Sequence, residues 1–126
     1  MIGNNSPFEI ISADIIPLRL NFRLGVEHGL ASRNYTENVV VRAKTRKGCV
    51  GYGECVPRIY VTGATVNSVN RYLNIFFNEL TGKVFNTLLE LIECISAIGV
   101  SDEALINPAA LCAFELAILD AAGKQR

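Results

Sequence analysis

His28 is the only histidine of the chain, and Glu27 stands beside it. One histidine cannot build a common metal site, and no third residue is spaced to complete a nucleophilic triad. His28 therefore reads as a solvated loop residue, with a substrate-facing one as the alternative. Gly51-Tyr52-Gly53 supplies two glycines of a dinucleotide fingerprint, but the third is missing and Pro57 follows where a helix should begin. The pair instead predicts a strand that bends sharply into the segment starting at Glu54. Cys49, Cys55, Cys94 and Cys112 form no C-x-x-C pair. Their apolar neighbours mark reduced, inert, mostly buried thiols, with a disulfide or metal site as the lesser alternative. Lys44, Arg46 and Lys47 cluster at a hairpin turn, where charges are ordinarily solvated. Glu115 and Asp120 are the only charges between Ala109 and Ala122. Carboxylates on a buried helix need partners, so pairing with Arg or Lys is expected, and direct catalysis is the alternative.

The elements that must position these groups follow from hydrophobic period. Residues 9–20 are rich in β-branched and aliphatic side chains and predict a strand, with Pro17 marking an edge or a bulge. Residues 21–35 show no sustained period and predict a long loop. Residues 38–46 alternate as a half-buried antiparallel strand, Lys47-Gly48 turns the chain, and 49–54 returns as a third strand. Beyond Pro57 the period changes. Val66, Val69, Leu73, Phe76 and Leu80 predict an amphipathic helix over about 65–80, with Thr65 as N-cap and Gly82 as its end. Phe85, Leu88, Leu89, Ile92 and Ile95 predict a second over about 84–97, stopped by Gly99 at C′. A short turn of helix fits 101–105. Asn107 and Pro108, at cap and N1, open a last helix over 108–122. Leu111, Phe114 and Ile118 line one of its sides, and Cys112, Leu116 and Leu119 another. A helix apolar on most of its circumference is normally buried on several sides, so its outer face must meet something. The fold class is α+β: a three-stranded antiparallel meander followed by three to four helices.

A chain of 126 residues fits one domain. Half of it is hydrophobic, and twelve basic residues balance twelve acidic ones. That balance argues against nucleic acid and against an anionic membrane surface as partners. The closing helix is short and carries two carboxylates, which argues against a membrane span. Met1 to Ser6 have neither a charged nor an apolar region, so they do not read as a signal peptide, and the cytoplasm is the expected location.

Two segments carry a resemblance. One is Gly51-Tyr52-Gly53-Glu54-Cys55-Val56-Pro57, continuing through Tyr60-Val61-Thr62-Gly63-Ala64-Thr65. The other is Asn107-Pro108-Ala109-Ala110, followed by Ala113 to Lys124. Together, at this separation, they resemble the N-terminal capping domain of the mandelate racemase/muconate lactonizing enzyme branch of the enolase superfamily, over essentially the whole chain. The resemblance implies that the chemistry belongs to a C-terminal (β/α)-barrel that this chain lacks. There, Mg²⁺ stabilises the enediolate formed when a base removes a proton α to a carboxylate. It implies for this segment no catalytic residue and no metal ligand, but two substrate-selecting loops at 21–35 and 54–62 that close over the barrel mouth. Arg23, His28, Arg33, Tyr35, Arg58, Ile59 and Tyr60 are the candidate substrate contacts. Leu111, Phe114, Glu115, Ile118 and Asp120 are the candidate docking or structural residues. The family's Lys-x-Lys base motif is absent, since Lys44-Thr45-Arg46 lies on the hairpin. Ala64 departs from the Glu or Asp common in this loop. The Tyr-Val-Thr-Gly loop looks closer to cycloisomerases and dipeptide epimerases than to sugar-acid dehydratases.

The expected function is thus a substrate-specificity cap of a Mg²⁺-dependent isomerase or lyase, inactive by itself. Its expected partners are the barrel and a small carboxylate substrate in the parent enzyme, with a second copy through the apolar helix as a further option. The alternative is a freestanding, non-enzymatic α+β domain that binds a ligand or dimerises.

Overall fold

The computed structural model describes residues 7–28, 31–58 and 64–125, with backbone alone over 21–34. Strands β1 (Ile10–His28), β2 (Ala31–Thr45) and β3 (Val50–Cys55) form one antiparallel sheet in the order β1-β2-β3. Helices α1 (Val66–Leu80), α2 (Leu88–Gly99), α3 (Asp102–Ile106) and α4 (Pro108–Gln125) follow. This is the expected α+β architecture, a meander and then helices.

Alternation decides which face of the sheet is covered. Val39, Val41 and Ala43 of β2 are fully buried, while the alternate positions are half-buried at Val40 and exposed at Arg42 and Lys44. The helices cover the first set. Gly48, at φ +93°, allows the tight turn between β2 and β3, and Thr45 Oγ1 accepts the Cys49 N–H at 3.0 Å across it. Arg42 pairs with Asp14 directly opposite on β1 at 2.7 Å. Arg46, expected to be merely solvated, grips Glu9 through two contacts of 3.0 and 3.1 Å. The Glu9 carboxyl is held below its usual range by that guanidinium, but the pair is exposed and adds little stability.

The described residues of 21–35 are strand and not the expected loop. β1 continues to His28 and β2 begins at Ala31, with Asn21 opposite Tyr35 and Val26 opposite Arg33. A register shift between Asn21 and Val26 hides the strand period from a sequence window. β3 stops at Cys55, opposite Val39. Beyond that point β1 and β2 therefore run on as a two-stranded ribbon. Pro17 sits on an edge strand, as its missing N–H requires.

α1 buries Val69, Leu73, Phe76, Phe77 and Leu80. Thr65 and Ser68 form a reciprocal capping box at its start, and Gly82 at φ +86° ends it while donating its N–H to Ile10 at 2.9 Å. Phe85 belongs to no helix. It exchanges two 2.8 Å backbone hydrogen bonds with Phe8 and covers the open edge before β1. α2 begins only at Leu88, capped by Thr87, and runs through Gly99 to a C-cap at Val100. Leu91, Ile95 and Ile98 turn inward, leaving Leu88, Leu89 and Ile92 exposed. An apolar helix with several possible inner faces has its orientation chosen by neighbours, not by its own pattern. Asn107 caps α4 by accepting the Ala110 N–H at 3.1 Å.

Candidate functional site

β3 and α4 pack with their backbones in contact. A Cβ at Gly51 would collide with the Ala117 carbonyl and lie 2.7 Å from the Ala121 methyl. One at Gly53 would strike the Ala113 carbonyl and come within 2.9 Å of the Ala117 nitrogen. The glycines thus meet an alanine stripe on α4, backbone against backbone. The sharp bend expected of them is not their role, since neither has a positive φ.

That seating lets α4 cap the free edge of β3. The Asp120 carboxylate accepts the Tyr52 N–H at 2.8 Å, and Lys124 donates to the Val50 carbonyl at 2.9 Å while pairing with Asp120 at 3.0 Å. The Asp120 carboxyl is held below its usual range first by the Tyr52 N–H, then by Lys124. An unpaired edge that would otherwise template aggregation is closed by two charged side chains. Asp120 thus has a lysine partner although it is partly exposed, whereas half-buried Glu115 forms no ion pair with any described residue. Phe114 and Ile118 are fully buried, with the Phe114 ring 5.7 Å from Phe76 and 4.9 Å from Phe77. Leu111 and Glu115 are half-buried. The outward side of α4 is Cys112, Leu116 and Leu119, the last two 48% and 46% exposed. Leu116 and Leu119 share a shallow groove with Val40, Tyr52 and Glu54 across the β3 edge.

All four cysteines are free thiols. Expected to be mostly buried, they are only half-buried at Cys49, Cys55 and Cys94, and Cys112 is exposed because α4 turns it away from the sheet. Burial pushes the Cys55 thiol up to about 11, and the nearby Cys112 and Glu54 add to the rise. Its folded value lies above the ordinary 9.0, so protection of this thiol contributes stability below pH 9 and is lost as pH rises toward 11. Thermal melts from pH 8 to 11 should therefore fall more steeply for the native chain than for Cys55→Ala; parallel slopes would refute this.

The ribbon and the segment after β3 leave the sheet at the same end. Between them lies a recess of about 400 Å³ lined by Glu37 of the ribbon, Pro57, and residues Ala64 to Asn67 at the start of α1. Tyr35 and Glu37 continue the face of β2 that carries Val39 and Val41. The Arg19 guanidinium lies 3.6 Å from the Tyr35 ring centroid. Arg58 is half-buried beside Pro57. Of the other candidate contacts, Ile59 and Tyr60 lie outside the described residues, and Arg23, His28 and Arg33 are placed by backbone alone on the ribbon arms. Sequence reasoning missed Arg19, Glu37, Thr65 and Asn67. The alternation of β2, extended back through Tyr35, is the signal for Glu37. Among the described residues, no group of three or more His, Cys, Asp or Glu gathers as a metal site. Nor is any helix among them long and apolar enough to cross a membrane.

No family model matches the chain, and no curated protein matches it by sequence. Solved structures do. A dipeptide epimerase from Enterococcus faecalis V583, complexed with Mg and the dipeptide L-Leu-L-Tyr, superposes with TM-score 0.77 at 20% identity. The match covers 93% of this chain and 32% of that one. A mandelate racemase/muconate lactonizing protein from Herpetosiphon aurantiacus gives 0.78 at 20%, over 93% and 31%. An N-succinyl Arg/Lys racemase from Bacillus cereus ATCC 14579 gives 0.77 at 22%, over 93% and 31%. This chain has the fold of their N-terminal domain. It spans about a third of their length.

Proposed function

We propose that the chain is the substrate-selecting cap of a Mg²⁺-dependent isomerase or lyase that removes a proton α to a carboxylate. The observation carrying this reading is the recess where the ribbon and the post-β3 segment converge on the start of α1, in a fold shared with racemases and epimerases three times as long. In this role Tyr35, Arg58, Arg23, His28, Arg33, Ile59 and Tyr60 contact the substrate, joined by Arg19 and Glu37. The ribbon and segment exclude water from the reacting centre and choose which carboxylate is processed. The groove formed by Leu116, Leu119 and Tyr52 receives part of the barrel. The metal ligands and the base reside in that barrel, so the 126 residues alone have no turnover.

Purified 126-residue chain, given Mg²⁺ and a panel of dipeptides and muconate-like acids, should exchange no α-proton with deuterated water. Exchange above the buffer rate would overturn the division of labour. The coding DNA beyond codon 126 should stay open for roughly 200–250 residues, the length of a barrel, and encode a Lys-x-Lys motif with spaced acidic residues. A stop codon there, with a stable homodimer in solution, would favour the freestanding domain instead.

A further inference from the structure

A second recess lies on the other flank of the first turns of α1, against the junction of α3 and α4. Its volume is about 530 Å³, within the range of roughly 300–1,000 Å³ typical of small-molecule sites. Its walls sort by chemistry. Arg71 and Asn67 come from α1, Asn107 from the cap of α4, and Tyr72 and Ile106 supply apolar surface. None of the described lining residues is acidic.

We infer that this recess binds a small organic carboxylate with an apolar body. Arg71 lies at the recess and makes no ion pair with any described residue, and its ring neighbour Tyr72 is 6.0 Å away. Asn107 is only 3% exposed. Its carboxamide oxygen is committed to the Ala110 N–H at 3.1 Å, and its NH₂ donates one hydrogen to Ser68 Oγ at 3.3 Å. An amide NH₂ carries two hydrogens, so one donor remains for an occupant. Ser68 Oγ is already engaged with Thr65 and offers no competing acceptor of note. The positive end of α1 adds to the field at this flank. A guanidinium and amide donors without a counter-charge match a carboxylate. Ile106, 65% exposed beside the half-buried Tyr72, is the surface that an apolar body would cover. A phosphate would find one cation where it prefers several, and no use for that wall. This site does not depend on the proposed function, although Ala64 and Asn67 line both recesses.

The test is an amide-resolved NMR titration of the 126-residue chain with benzoate, benzyl alcohol and inorganic phosphate at constant ionic strength. Benzoate should give saturable shifts centred on Asn67, Ser68, Arg71, Ile106 and Asn107, and benzyl alcohol should give none. Arg71→Gln should weaken benzoate about tenfold, the loss expected of a charge-assisted contact. Arg71 is exposed, so both Arg71→Gln and Arg71→Lys should fold, and Arg71→Lys should weaken benzoate less than Arg71→Gln. Shifts that never saturate, equal binding of benzyl alcohol, indifference to Arg71→Gln, or tighter binding of phosphate would each overturn the assignment.

Discussion

Gly53→Ala should destabilise the chain by about 3 kcal/mol or more, at the upper end of the cost of overpacking. The added methyl meets the Ala113 carbonyl and lies 2.9 Å from the Ala117 nitrogen. Both are backbone atoms of one helix, so no side chain can rotate aside. Relief requires α4 to lift off β3, and α4 also carries the fully buried Phe114 and Ile118. The Asp120 and Lys124 contacts to the β3 edge would be drawn away with it. The melting temperature should fall by about 10 °C or more for a domain of this size. Gly48→Ala is the control. Gly48 has a positive φ but nothing within 4 Å of a built Cβ, so its cost is conformational only, about 1 kcal/mol. Equal effects at the two positions, measured by thermal melts, would show that helix seating is not what Gly53 secures.

Phe114→Ala should cost about 3–5 kcal/mol, the range for removing a buried aromatic ring. Phe114 is fully buried and packs edge-on against Phe77 while touching Phe76, both from α1. It therefore ties the last helix to the first. Domains have only about 5–15 kcal/mol of total stability, so the variant sits near the folding threshold. Phe114→Leu keeps most of the volume and should lose markedly less, about 1.5 kcal/mol. Urea titrations would check both. A Phe114→Ala midpoint equal to that of the parent would mean the α1–α4 contact is not central to the core.

Period and punctuation made much of the architecture legible. Thr65, Gly82, Asn107 and Pro108 act within a turn of their own positions, and each does what its chemistry alone prescribes. The 21–35 segment was illegible for the opposite reason. Its strands are held by pairing to each other across a register shift, and that pairing leaves no periodic trace. The partial apolar pattern of α2 likewise could not say which side would be inner.

The sequence by itself determined the fold class, the order of elements and most of the caps, because these depend on local chemistry and residue period. Only the tertiary structure decided what the residues face. It showed that Gly51 and Gly53 admit an alanine stripe, that Asp120 and Lys124 close an edge, and that Glu37, Pro57 and Asn67 share one recess. Each of these joins positions far apart in the chain. Such contacts are set by how the helices settle on the sheet, a property of packing that no local window contains.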